Sequence, residues 1–186
     1  MLDGLVEFIE KRLKLKVNKD KSSVKHAVKA TVLGFGFHFR GKGIVGIRVA
    51  SKALERMRWR IRSLTGRSWR ISMPERIELL NRYISGWCAY FAMAETPSVF
   101  EDSDSWLRRR LRQVRWKEWK RPMTRRRNLL ALGITPRNAR EWAGSSKGCW
   151  RMAGSPTLAR ALPNAHWQQL GLLGFSHGWR RRSWST

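Results

Sequence analysis

The stretch Ser72-Met-Pro-Glu-Arg-Ile-Glu-Leu-Leu-Asn-Arg-Tyr-Ile-Ser-Gly-Trp-Cys-Ala-Tyr-Phe91 decides the architecture. Ser72 with Glu75 three residues on forms a capping box, the pattern that satisfies the free amides of a helix start. Ile77, Leu80, Ile84, Trp87 and Phe91 then recur at helical spacing and make one apolar stripe. A helix with such a stripe must bury it against neighbours, and the flanking sequence supplies two. Upstream, Ser51 is placed to cap a helix over 52–65 whose Leu54, Met57, Ile61 and Leu64 share a face, with Gly66 as its stop. Downstream, Thr96-Pro97 opens a third helix over 98–121 that turns Phe100, Leu107, Leu111 and Val114 inward, with Pro122 ending it. Three amphipathic helices on short connections predict an antiparallel bundle.

Further out the elements shorten. Residues 124–132 read as a helix stopped by Gly133; Thr135-Pro136 and Ser155-Pro156 each start another, and Gly144 and Gly171 read as stops. Ser145–Gly154, with Lys147, Trp150 and Arg151, reads as a loop, and His177–Thr186 as a loose basic tail. At the other end, a helix over 4–14 sets Leu5, Phe8, Ile9 and Leu13 on one face, Leu13–Val17 alternates like a strand, and 18–23 is a polar turn. Thr31–Arg40 and Ile44–Val49 read as strands joined through Gly41-Lys42-Gly43. The expected fold is therefore mainly α, with a small β-hairpin or sheet at the N-terminus and the bundle followed by short helices. Three short strands and one helix make a poor independent domain, so residues 1–50 read as the edge of something larger.

Charge narrows the partner. The chain of 186 residues carries 39 Lys and Arg against 13 Asp and Glu, a net charge of +26. Residues 105–186 alone have a balance of +17, with Glu118 and Glu141 as their only acids. Solubility asks for a net charge of only roughly 2–8 in a small domain, so the surplus points to a polyanion. Phosphate backbones fit, because binding them releases counterions.

The densest stretch runs from Trp106 to Arg127, with eleven Lys and Arg and one acid. With Leu107, Leu111 and Val114 inward, Arg108, Arg109, Arg112, Arg115 and Lys117 fall on the outer face, followed by Lys120, Arg121, Arg125, Arg126 and Arg127. Arginine forks match phosphate oxygens and stack on bases. Trp116 and Trp119 lie among these cations and read as core residues, as does Trp87-x-x-Tyr90-Phe91. A second basic surface, Lys52, Arg56, Arg58, Arg60 and Arg62, coats the first bundle helix; there a solvated face explains the residues nearly as well.

Nothing comparable supports catalysis. His26, His38, His166 and His177 have no acid or nucleophile at a suggestive spacing, and Asp102 and Asp104, two apart on a helix, do not face one another. No metal or cofactor is expected. Cys88 and Cys149 lack zinc or disulfide spacing, and no apolar run nears the ~20 residues of a membrane span. A cytoplasmic protein is the expectation.

Taken in order, several segments resemble the C-terminal part of the group II intron reverse transcriptase/maturase family. They include Phe8-Ile-Glu-Lys-Arg-Leu13, Val17-Asn-Lys-Asp-Lys-Ser22, Leu33-Gly-Phe35, Leu80-Asn-Arg-Tyr-Ile-Ser-Gly-Trp87, Tyr90-Phe91 and Trp106-Leu-Arg-Arg-Arg-Leu111. Trp116-Lys-Glu-Trp-Lys-Arg121, Arg125-Arg-Arg-Asn-Leu-Leu130 and Cys149-Trp-Arg-Met-Ala-Gly-Ser-Pro156 continue the series.

The resemblance implies a remnant of the reverse transcriptase palm over 1–50, with Leu33, Gly34 and Phe35 similar to the primer-grip hairpin. It implies a thumb, or maturase-specific domain X, over 51–121 and a short basic nucleic-acid-binding region with a tail over 122–186. The implied partner is structured intron RNA, with DNA as a second nucleic acid. The Tyr-Ala-Asp-Asp polymerase motif is expected upstream of Met1, so no enzyme activity of this chain alone is implied. An RNA-binding maturase domain is the leading expectation. A C-terminal piece of a split reverse transcriptase, completed by a separate N-terminal portion, and a truncated remnant without a task stand beside it.

Overall fold

The computed structural model describes residues 2–18, 24–41 and 43–183. Among them are ten α-helices and one three-stranded antiparallel sheet. The polar turn expected at 18–23 falls, apart from Asn18, outside the described residues, as do Lys42 and residues 184–186.

Three helices make the bundle: α2 (Ser51–Leu64), α3 (Met73–Tyr90) and α4 (Pro97–Glu118). Their stripes meet as expected. Met57, Ile61, Ile77, Leu80, Ile84, Phe100, Leu107, Leu111 and Val114 all belong to one buried cluster. Ser72 Oγ accepts the Glu75 amide at 3.3 Å, so the α3 cap forms as read. Two boundaries differ. Ala50, not Ser51, occupies the cap position of α2, because its amide donates to the Gly34 carbonyl at 2.9 Å and fixes the chain there. Pro122 does not end α4. That helix stops at Glu118, Trp119 is buried, and Pro122 is the first residue of the next helix, where its missing amide costs nothing.

The N-terminal part is α1 (Leu2–Arg12), a 3-10 turn at Ala27–Lys29, and strands β1 (Thr31–Val32), β2 (Phe35–Phe39) and β3 (Val45–Val49) in the order β1-β2-β3. The strand expected at Leu13–Val17 does not form. Lys14 has φ +53° there, which breaks an extended chain, and among the described residues no neighbouring strand offers a ladder. The single strand expected at 31–40 is two. Leu33 and Gly34, at φ +49° and +84°, form a two-residue hairpin loop with Val32 opposite Phe35. Positive φ at both loop residues is the type I′ turn, whose twist suits antiparallel strands. The α1 face is largely uncovered, with Leu5 and Phe8 more than half exposed.

Beyond the bundle follow α5 (Pro122–Ala131), α6 (Pro136–Ala143), α7 (Cys149–Ala153), α8 (Pro156–Ala161), α9 (Asn164–Gln169) and α10 (Phe175–Arg180). The loop expected at 145–154 contains α7, packed on α4 with Met152 and Ala153 buried. Five residues have no helical periodicity to read; tertiary packing makes this helix.

The expected loose tail is the larger correction. Residues 177–180 of it belong to α10, which begins at Phe175 and packs against both α3 and α4. Phe175 is fully buried, edge-on to Trp87 at 5.4 Å, and the Trp179 ring stacks on Phe100 at 4.9 Å. Buried Asp104 accepts the amides of Phe175 and Ser176, and Asn81 binds the Leu173 amide and the Gly171 carbonyl. Gly174 passes so close to Asp104 that a Cβ there would lie 3.1 Å from both carboxylate oxygens. The basic composition of 177–182 concealed an apolar wedge of Phe175 and Trp179 spaced four apart. Replacing Phe175 by Ala is expected to destabilise the fold by about 3–5 kcal/mol, read by urea denaturation, since the cavity opens inside the bundle. A loose tail would leave the midpoint unmoved.

Candidate nucleic-acid interface

The cations of α4 and its continuation divide into two groups by what their heads touch. The first group is held by the protein itself. Arg109 lies 4.0 Å over the Trp150 ring and donates to the Trp150 carbonyl at 3.4 Å; Arg112 Nε donates to the Ala153 carbonyl at 3.0 Å. Both therefore fasten α7 to α4. Arg125 stacks 4.6 Å over Trp116 and donates through Nε to the Trp119 carbonyl at 3.0 Å. Arg115 pairs with Glu118 at 3.0 Å. Burial, then the neighbouring Arg108 and Arg109, pulls the Arg112 pKa below its ordinary value.

Two arginines that the charge pattern did not single out belong here as well. Arg76, only 1% exposed, donates to the carbonyls of Leu64 at 2.6 Å and Trp69 at 3.1 Å. Arg110 Nε donates to Thr65 Oγ1 at 3.0 Å, tying α4 to the end of α2. Burial lowers the pKa of both guanidinium groups. Neither is visible from sequence, because an arginine that satisfies carbonyls reads the same as a solvated one.

The second group is exposed. Lys117, Lys120, Arg121, Arg126 and Arg127 run from the last turn of α4 into α5 with no ion pair or hydrogen bond of their side chains among the described residues. Lys52, Arg56, Arg58 and Arg60 on α2 are likewise exposed and unpaired there. Arg62 lies 5.8 Å from the Trp106 ring centre. Arg126 also lines an open recess of about 650 Å³ with Arg137, Arg140 and Glu141, which brings two further cations of α6 beside α5. Their spacing of three on a helix opened by Thr135-Pro136 was the available signal. Arg108 is half-buried on a separate cavity between α4, α9 and α10. These candidates thus do not act as one set: Arg109, Arg112 and Arg125 are structural ties, and the free heads lie around the α4–α5 junction and along α2.

Trp116 and Trp119 are buried, as read, and so are Trp87 and Phe91, while Tyr90 is half exposed and donates its hydroxyl to the Leu33 carbonyl at 2.7 Å. Leu33, Gly34 and Phe35 form the β1–β2 turn against the bundle: Phe35 stacks on Tyr90 at 5.7 Å, and a Cβ on Gly34 would meet Phe91 at 3.4 Å. Asp104 spends its oxygens on α10 amides and Asp102 is exposed. Among the described residues no three His, Cys, Asp or Glu side chains gather as metal ligands, and no helix is long and apolar enough to cross a membrane. Cys88 is buried, its thiol pushed up to about 12 chiefly by burial, with Asp104 adding and Arg182 opposing.

This division has a measurable consequence. Arg125→Ala should lower stability by about 1.5–3 kcal/mol in urea denaturation, because buried carbonyls lose a charged donor. Arg126→Ala, one residue on, should leave the midpoint where it is.

No curated protein matches the chain. A family model does: residues 54–133, from the first turns of α2 through α5, match the group II intron, maturase-specific domain.

Proposed function

We propose that the chain acts as a maturase in group II intron splicing, and that it does so by binding the folded intron RNA through phosphate contacts. The match over 54–133 supports the maturase role. The observation that carries RNA binding is the set of exposed cations without partners among the described residues, Lys117, Lys120, Arg121, Arg126 and Arg127 together with Lys52, Arg56 and Arg60. Surface cations left unpaired in a chain with +26 net charge repel one another until phosphates approach. The 51–121 bundle would serve as the thumb, and 122–183 would extend its basic surface; DNA is the competing ligand for the same heads.

Salt separates this from adventitious stickiness. With roughly 6–10 phosphate contacts, affinity for a group II intron RNA should fall by about 10³–10⁵ between 50 and 200 mM salt in filter binding. Replacing Lys117, Lys120, Arg121, Arg126 and Arg127 by Ala should make the log–log slope shallower by about 3 or more, at roughly 0.7–0.9 per phosphate lost. An unchanged slope removes the junction from the interface.

A second reading, a C-terminal piece of a split reverse transcriptase, is favoured by the uncovered apolar groups of the N-terminal part. Leu5, Phe8 and Val32 are more than half exposed and Leu33 is 79% exposed, more than an isolated edge needs. Primer extension should then appear only on adding a separately expressed fingers–palm polypeptide; no extension from the mixture argues for the maturase role alone.

A further inference from the structure

Three tryptophans are exposed among the described residues, and two of them lie against an arginine. The Trp150 ring sits under Arg109 at 4.0 Å, and Arg76 stands 5.6 Å from the Trp69 ring centre. Trp59 differs. At 65% it is the most exposed of the three, and among the described residues no ring, guanidinium or hydrogen-bond acceptor meets its indole. Tyr90, also exposed, spends its hydroxyl on the Leu33 carbonyl and its face on Phe35.

The position of Trp59 follows from helical geometry. It is two residues from Met57 and two from Ile61, both buried, and a step of two turns about 200° around a helix. The indole therefore stands on the side of α2 turned away from the core. Lys52, Arg56 and Arg62 share that side at helical spacing, and Arg58 and Arg60 flank the ring; all are exposed. Glu55 is the one acid of α2. Arg62 turns its head towards the Trp106 ring of α4, 5.8 Å from its centre, and leaves the Trp59 face uncovered.

Single exposed apolar residues are ordinary on a protein surface, and a leucine at this position would carry no argument. Tryptophan is mostly buried in proteins, and this one lies amid cations. That setting selects the partner. A protein contact places its apolar residues at a centre depleted of charge, which the arginines of α2 do not provide. Single-stranded nucleic acid is held in the opposite way, by cations along the backbone with aromatic faces between them on which bases stack. Loops and bulges of folded RNA offer such bases.

We propose that Trp59 is a stacking platform for an unpaired base of RNA, with Arg56 and Arg60 meeting the phosphates beside that base. The inference rests on the RNA-binding reading above and deepens it, since it makes α2 a holder of a looped or bulged nucleotide as well as of phosphates.

Filter binding of the full chain to a group II intron RNA across a salt series tests it. Trp59→Ala should weaken binding by about tenfold at every salt concentration and keep the wild-type log–log slope, because no phosphate contact is lost. Arg56→Ala with Arg60→Ala should make the slope shallower by about 1.5, at roughly 0.7–0.9 per phosphate. Trp59→Phe, which keeps an aromatic face, should stay within about threefold of the wild type, and Trp59→Leu, apolar without that face, should bind like the Ala variant. The urea midpoint should be the same for all three Trp59 variants and the wild type, because the ring is exposed. An oligouridine strand should lose affinity with Trp59→Ala, and an RNA duplex of equal length should not. Wild-type affinity or a shallower slope for Trp59→Ala, equal retention by Leu and Phe, equal loss on strand and duplex, or a lowered midpoint each overturns the stacking site and leaves the phosphate contacts standing. The first of these hands the ring to a protein partner. Failure of the wild-type chain to bind intron RNA overturns both readings.

Discussion

Thirteen carboxylates cannot neutralise thirty-nine basic side chains, and this scarcity shapes the molecule. A buried guanidinium must have its donors met, and with few acids available the acceptors are backbone carbonyls and ring faces. Arg76 closes the end of α2, Arg110 ties that end to α4, Arg112 and Arg109 hold α7, and Arg125 holds the turn into α5. These contacts anchor α4 on several sides without a single buried ion pair. The described ion pairs are all at least partly exposed and contribute little each. What remains after these internal demands is a residue of free cations, and their position follows from the fold. They sit where α4 leaves the bundle and along the outward face of α2.

The same shortage explains the weight carried by Asp104. It is one of few acids in the second half of the bundle, it is buried, and it satisfies two amides at the start of α10. Through it the chain end returns to the groove between α3 and α4, burying Phe175 and stacking Trp179 on Phe100. The bundle is therefore not closed by its three long helices. Its core is completed by a segment some forty residues beyond the end of the maturase-specific match, so the matched region and the packed unit differ in extent.

The sequence was legible where periodicity is strong. Stripes such as Ile77, Leu80, Ile84 and Trp87 leave one helical solution, and the Ser72 cap was readable from two residues. It was illegible where the deciding partner is remote. Leu33-Gly34 hides a type I′ turn because leucine is a poor marker of positive φ, and α7 exists because α4 offers it a surface. The tail was misread because six residues rich in arginine outweighed two aromatic ones. For the candidate interface the cation density was visible, but its division was not. Arg125 and Arg126 are neighbours in a run of three arginines; one faces Trp116 and the other faces solvent, and only packing tells them apart.

A basic surface of this kind binds by position more than by sequence. The central claim is that the free guanidinium groups, and not the carbonyl-bound ones, meet phosphate. Phenylglyoxal modification of the full chain, mapped by mass spectrometry with and without group II intron RNA, tests it directly. Arg56, Arg60, Arg121, Arg126 and Arg127 should react in the free protein and be protected by RNA, while Arg76 and Arg110 stay unreactive in both states. Equal reactivity of the exposed arginines with and without RNA would contradict the account.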